Sequence, residues 1–219
     1  MEDNNIFKNG WNEINAYIFG WIMSDGCLKK EGRNKNRYAV RITSNDKEII
    51  EWMHDVMCVG NRIYLQGKNY SIKYRNLEGI AFMMANNLKE RKSLDMQFPD
   101  IPDEVLPFFI RGYFDGDGSV ILRKTKHNTY GQISFTCGSL GFLKSMQDRL
   151  DSFGIGSRIY QDGRDGNRCF YLRVIKRSEI EKLFFFLYSD EKSKRLERKY
   201  TKYKSLMDSK PKYNISWNA

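Results

Sequence analysis

The chain has 219 residues, 41% of them hydrophobic and 14% aromatic, enough apolar mass for one or two compact domains and too much for whole-chain disorder. Its 37 lysines and arginines against 27 acids leave a formal charge of +10, which favours a polyanionic partner through counterion release. Nucleic acid leads that reading, with an anionic membrane surface a distant second. No uncharged apolar run approaches the ~18 residues of a membrane span, and the start Met1-Glu2-Asp3 is acidic where a signal peptide is basic. The expectation is an intracellular protein, in the cytoplasm of a bacterial or phage host or in an organelle, neither secreted nor bound in a membrane. Cys27, Cys58, Cys137 and Cys169 form no CxxC pair and only His54 and His127 could join them, which argues against disulfide scaffolds and structural zinc.

In chain order, residues 11–26 (WNEINAYIFGWIMSDG) predict a helix: Trp11, Ile14, Ile18, Trp21 and Ile22 keep the i, i+3, i+4, i+7 pattern, and Gly26 is the expected stop. A basic stretch around 37–43 alternates apolar and polar residues, as a strand with one wet face does. A helix over 46–58 follows, with Ile49, Ile50, Met53, Val56 and Met57 on one face, then a hairpin of 61–64 with 71–74, then a third helix over 78–88. Pro99, Pro102 and Pro107 interrupt the pattern and mark a short linker.

After the linker the order repeats once, with a period of about 100 residues. Residues 105–118 (VLPFFIRGYFDGDG) predict a helix, 132–136 a strand, 139–153 a helix through Leu140, Leu143, Met146, Leu150 and Phe153, and 157–160 with 171–174 a hairpin. A helix over 179–188 closes the repeat, its start marked by the capping-box pattern of Ser178 and Glu181. The unit is αββαββα, present twice, so the fold class is α+β. The first unit covers residues 1–98 with a linker to 104, and the second covers 105–219. Its tail, 191–212, carries nine Lys or Arg against three acids, as a solvated helix face or as a phosphate contact.

Each long helix ends in a carboxylate followed by glycine, Asp25-Gly26 and Asp117-Gly118. An acid at the negative end of a helix dipole costs about 0.3–1 kcal/mol. A lone Asp-Gly is most often a turn, but two at equivalent points of a repeat call for a cation to offset the cost. Gly20 and Gly112 lie inside the same helices, where glycine costs about 0.5–1 kcal/mol relative to alanine. Close packing of the two helices through these glycines explains them and brings Asp25 near Asp117. Two adjacent carboxylates bind a hard divalent cation such as Mg2+ (or Mn2+), with water completing the shell, and this suits phosphodiester hydrolysis.

Ile110-Arg111-Gly112-Tyr113-Phe114-Asp115-Gly116-Asp117-Gly118 strongly resembles the LAGLIDADG motif, and Ile18-Phe19-Gly20-Trp21-Ile22-Met23-Ser24-Asp25-Gly26 resembles a less regular copy of it. The resemblance, which runs over nearly the whole chain, is to the LAGLIDADG homing endonucleases in their two-motif, single-chain form. It implies a monomer of two pseudo-symmetric αββαββα units, with paired motif helices at their interface and two saddle-shaped antiparallel sheets in the DNA major groove. It implies that the eighth-position acids, Asp25 and Asp117, are catalytic and bind metal together with Ser24 and Gly116. Motif one departs from the pattern at Met23, where the sixth position is usually acidic. The resemblance also implies a catalytic basic residue after the third helix of each half: Lys92 in the first, Lys199 in the second, with Lys192 as a rival.

Strand alternation supplies the DNA-facing set. With Tyr38, Val40 and Ile42 turned inward, Arg37, Ala39, Arg41 and Thr43 face outward, as do Lys73 and Arg75; the second half contributes Arg123, Gln132, Ser134, Arg158, Tyr160, Tyr171 and Arg173. Such side chains reach base edges and phosphates. The expected activity is therefore site-specific, metal-dependent double-strand cleavage of DNA. The alternatives are an intron-encoded maturase acting on RNA and a DNA-binding protein that does not cut. The endonuclease domain of an intein fares worse, because Met1 is no splicing Cys or Ser and Ser216-Trp217-Asn218-Ala219 lacks a His-Asn junction, so the chain is expected to be free-standing.

Overall fold

The structure, a computed structural model, describes residues 5–32, 37–57, 60, 62–124, 129–163, 168–190 and 192–209, with the side chains of 123, 124 and 129 left out. The first repeat contributes α1 (Glu13–Asp25), β1 (Cys27–Glu31), β2 (Arg37–Ser44), α2 (Lys47–Val56), β3 (Tyr64–Gln66), β4 (Asn69–Tyr74) and α3 (Leu77–Ala85). The second contributes α4 (Leu106–Asp117), β5 (Gly118–Lys124), β6 (Thr129–Cys137), α5 (Leu140–Ser152), β7 (Arg158–Gln161), β8 (Phe170–Val174) and α6 (Arg177–Tyr188), followed by α7 (Glu197–Asp208). Each repeat builds one four-stranded antiparallel sheet, in the orders β1-β2-β4-β3 and β5-β6-β8-β7. The fold is α+β, with two αββαββα units related by repetition.

Alternation explains the layering. Val40, Ile42, Ile72 and Tyr74 of one sheet and Ile133, Phe135, Leu172 and Val174 of the other are buried on the helix side, and one apolar core runs through both halves. Helix α1 is buried continuously from Asn15 to Met23, as befits a helix enclosed on all sides, and its inner partner is α4. The two backbones touch at the expected glycines. A Cβ at Gly20 would lie 2.0 Å from the Phe109 carbonyl oxygen, and one at Gly112 would lie 2.0 Å from that of Tyr17.

Several expectations are corrected. Ile14, placed on the buried stripe of α1, is 49% exposed, because the buried surface of this helix starts at Asn15 and wraps around it. Trp11 precedes the helix, where Asn12 caps it in a reciprocal pair with Asn15. No Ser178–Glu181 capping box forms: α6 begins at Arg177, and Glu181 instead pairs with Arg177 at 2.6 Å. Gly26 and Gly118 end their helices in extended conformation. What they require is room, since a Cβ at either would lie within 2.5 Å of a backbone oxygen one turn earlier. Of the proposed 61–64 strand, residue 61 lies outside the described residues and of 62–64 only Tyr64 is in β3, and Phe153, expected on the inner face of α5, is 40% exposed just beyond its end.

The basic tail, of which residues 191 and 210–212 lie outside the described residues, has one buried and one solvated helix face. It forms α7, whose inner side buries Lys199, Tyr203 and Leu206 while Lys202 and Lys204 stay exposed. The Tyr203 hydroxyl donates to the Ile180 carbonyl at 2.8 Å, and Arg177 donates to the Leu206 carbonyl at the far end of the helix at 2.6 Å. Arg198 reaches across to Asp46 of the first unit at 2.9 Å.

Candidate active site and outer sheet faces

Both carboxylates stand where the paired helices end. Asp25 is the last residue of α1 and Asp117 the last of α4. The ends interlock at Gly116, where a Cβ would lie 1.8 Å from the Ser24 hydroxyl and 3.2 Å from Asp25 Oδ2. The absent side chain is therefore the space into which α1 extends its terminal serine and acid. The Asp117 carboxyl is pushed up to about 6, first by loss of solvent and then by the charge of Asp25, with Lys92 and Lys199 opposing. Desolvation likewise raises Asp25, against the pull of Lys199, Lys92 and Arg198.

The two lysines occupy equivalent places. Lys92, in a short 3-10 turn after α3, is 7% exposed and donates to the carbonyl oxygens of Ser24 at 3.2 Å and Gly26 at 2.8 Å. Lys199, on α7, is 8% exposed and donates to those of Phe114, Gly116 and Gly118 at 2.7, 2.9 and 2.7 Å. Each ammonium thus caps the negative end of one motif helix. Burial lowers both pKa values, that of Lys199 to about 8, while the nearby acids pull the other way. Lys192 is exposed, with its backbone N–H on Asp190, and Lys199 is the geometric counterpart of Lys92. The carbonyls of Ser24 and Gly116, assigned by resemblance to the metal set, each already accept from one of these lysines.

The donor set is compatible with a hard cation. Among the described residues no three His, Cys, Asp or Glu side chains cluster, so the protein offers two carboxylates. Mg2+ characteristically takes one or two carboxylates and keeps several waters. The space over Gly116, which a side chain would fill, leaves the Asp25 carboxylate next to Asp117.

The raised Asp117 pKa is also a cost in stability. A folded-state value of about 6 against an unfolded value near 4 means the folded state holds this proton more tightly, so ionisation destabilises progressively from pH 4 to 6 and fully above that. Two units would correspond to about 3 kcal/mol, reduced to about 1–2 kcal/mol because the residue is only half-buried. Asp117→Asn should therefore raise the melting temperature at pH 7.5, in the absence of divalent cation, by about 3–6 °C, and by nothing at pH 3.5. Thermal unfolding at the two pH values checks this; a gain independent of pH would contradict it.

On the outer faces, Arg37 and Arg158 are exposed and Arg41, Thr43, Lys73, Gln132, Tyr160, Tyr171 and Arg173 half-buried, with Arg75 exposed just past β4. Two assignments are corrected. Ser134 is only 2% exposed, its short side chain standing in register between Ser119 and the longer Arg173; Ala39 is 3% exposed for want of length. The Arg123 side chain lies outside the described residues. The two faces are prepared differently. In the first, Glu31 holds Lys73 at 2.9 Å and Arg75 at 2.8 Å, and Arg41 donates to Ser71 at 3.1 Å. In the second, the Arg173 guanidinium lies 4.9 and 5.1 Å from the ring centres of Tyr160 and Tyr171. Glu31 escaped the sequence reading, because its partners Lys73 and Arg75 lie more than 40 positions away and meet it only across the strands. Asp115 and Arg111, charges four apart inside an apolar helix, also passed without a role.

The fold recurs in known proteins. Residues 104–185 match the family model of the LAGLIDADG-like domain. The fold is that of the LAGLIDADG homing endonucleases of known structure: I-GzeII in complex with its DNA target aligns with a TM-score of 0.62 at 15% identity, covering 88% of each chain. The LAGLIDADG meganuclease I-AabMI, bound to uncleaved DNA, gives 0.60 at 14% identity over 90% of this chain and 91% of its own. Mesophilic variants of the homing endonuclease I-DmoI give 0.59 at 19% identity over 81% and 97%. By sequence, the chain is 28% identical over 163 residues to a probable translation initiation factor IF-2 of Methanocaldococcus jannaschii, and 24% identical over 182 residues to a DNA polymerase of Thermococcus sp. strain GE8. The alignments take in 70% and 77% of this chain but only 13% and 11% of those proteins. Among the described residues no helix is long and apolar enough to cross a membrane.

Proposed function

We propose that this protein is a LAGLIDADG-type homing endonuclease that cuts both strands of a long DNA site, using Mg2+ or Mn2+ at Asp25 and Asp117. The observation that carries the reading is the convergence of two carboxylates and two buried lysines at the joined ends of α1 and α4, on a fold shared with DNA-bound endonucleases. A protein that only binds has no use for carboxylates turned toward phosphates, which sets the cleaving reading above the binding-only and maturase alternatives. The initiation-factor and polymerase activities named for the sequence relatives are not carried over, since this chain spans only a small part of either.

Asp25 and Asp117 would hold the cation, which when bound supplies a Lewis acid and an activated water at the scissile phosphate. Lys92 and Lys199 supply positive charge beside the same phosphates, with their ammonium groups fixed by the helix-end carbonyls. The glycine contacts fix the separation of the two acids, and the sheets present Arg41, Lys73, Gln132 and Arg173 to base edges in the major groove. The +10 charge and the exposed lysines of α7 supply the salt-sensitive attraction to any duplex.

The test is to offer a randomised duplex library with Mg2+ and sequence the ends produced. One recurrent long site supports the proposal; no cutting, or cutting without sequence preference, overturns it. On the recovered site, Arg173→Ala and Arg41→Ala should relax base preference locally by about 1–3 kcal/mol. Lys202→Ala should instead weaken binding to all sequences and lower the salt slope by about one unit. Binding profiles across a target library separate the two patterns. Because the chain carries both halves of the two-fold interface, light scattering should return one mass of about 25.9 kDa rather than twice that.

A further inference from the structure

Below the candidate site lies a buried polar cluster that no step above uses. Asp115, two residues before Asp117, is 1% exposed. Its Oδ2 accepts from the Tyr17 hydroxyl of α1 at 2.8 Å and from the Leu196 backbone N–H at 2.9 Å. Leu196 is the N-cap of α7, and its carbonyl accepts from the backbone N–H of Lys199 itself at 3.0 Å. One turn earlier on α4, Arg111 is also 1% exposed and donates to the Leu187 carbonyl at 2.9 Å, near the end of α6. Motif helix α4 therefore grips the chain on both sides of the passage from α6 to α7.

We infer that Asp115 is a positioning residue: it anchors the start of α7 and so holds the Lys199 ammonium against the carbonyls of Phe114, Gly116 and Gly118. The inference rests on the nuclease reading above and adds an asymmetry to it. In the first motif the corresponding place, two residues before Asp25, is Met23, an apolar side chain 1% exposed. Lys92 needs no such anchor, because it follows α3 by a short connection whose own backbone turns place it, including the Leu88 N–H on the Met83 carbonyl at 2.9 Å. Lys199 instead sits on a separate helix. Its other tethers, Tyr203 to Ile180 and Arg177 to Leu206, act at the middle and far end of α7. The Arg198–Asp46 pair nearby is solvent-exposed on the arginine side and holds weakly. A buried acceptor bonded to two donors is the strong anchor at the end that carries the lysine.

The experiment measures single-turnover cleavage of each strand separately on the recovered target, with target affinity measured in parallel. It compares the intact protein with Lys92→Ala, Lys199→Ala, Asp115→Ala and Asp115→Asn, the last of which keeps an acceptor oxygen. Asp115→Ala should slow the strand that depends on Lys199 by about 10–100-fold. The strand that depends on Lys92 should keep its rate, affinity should be unchanged, and Asp115→Asn should recover most of the loss. Should Asp115→Ala fail to fold, Asp115→Met, which copies the first motif, is expected to give the same one-strand defect. Equal slowing of both strands, no slowing, or no recovery with Asn overturns the anchoring role. If the two lysine variants themselves leave both strands cut at the full rate, the site reading fails and the anchor falls with it.

Discussion

Asp25→Asn and Asp117→Asn should each reduce double-strand cleavage by about 10³-fold or more while leaving target binding in place. The amide keeps the shape of the side chain but loses the charge, and at each helix end that charge is half of what the described residues offer a divalent cation. Among the described residues no neighbouring acid is placed to substitute. Removing one carboxylate also leaves Lys92 and Lys199 with a reduced counter-charge, which works against a bound cation. Single-turnover cleavage with Mg2+ beside gel-shift binding checks the result, and near-normal cleavage by either variant would remove the two acids from the chemistry. The stability gain expected for Asp117→Asn above pH 6 makes the comparison sharper, because lost cleavage in a more stable protein cannot be laid to unfolding.

Gly20→Ala and Gly112→Ala should each cost about 3 kcal/mol or more, a large fraction of the ~5–15 kcal/mol that holds a domain folded. Alanine would ordinarily help a helix interior by about 0.5–1 kcal/mol. Here the new methyl group would lie 2.0 Å from a carbonyl oxygen of the facing helix, and a backbone cannot step aside as a side chain can. The helices must separate, which opens the shared core and spreads Asp25 from Asp117. Gly141→Ala on α5 is the control, since its nearest neighbour would be a hydroxyl at 3.9 Å, and it should be neutral or slightly stabilising. Chemical denaturation of the three variants tests this; equal stabilities would mean that the helices do not meet through these glycines.

Much of this protein is local and periodic, and that much was legible in the residues. The alternation of Val40 and Ile42 with Arg41 and Thr43, the apolar stripes of α2 and α5, and the repetition of one order of elements define two αββαββα units, because side-chain period and strand or helix geometry are the same physical fact. The paired Gly20/Gly112 and Asp25/Asp117 pointed to a helix interface and a shared site for the same reason: each is costly alone and reasonable only beside its partner. What the order of residues does not carry is enclosure and long-range partnership. It ranked Lys199 ahead of Lys192 by resemblance alone and left the rival open, since only the docking of α7 turns one ammonium onto the carbonyls of Phe114, Gly116 and Gly118 and leaves the other in solvent. It could not tell that Ser134 is shielded or that Glu31 holds Lys73 and Arg75, because those depend on which side chains stand next to them across the strands. And it left Asp115 as an unexplained charge in an apolar helix, for its two donors come from Tyr17 and Leu196, 98 and 81 positions away, and meet it only when both repeats and the tail have packed together.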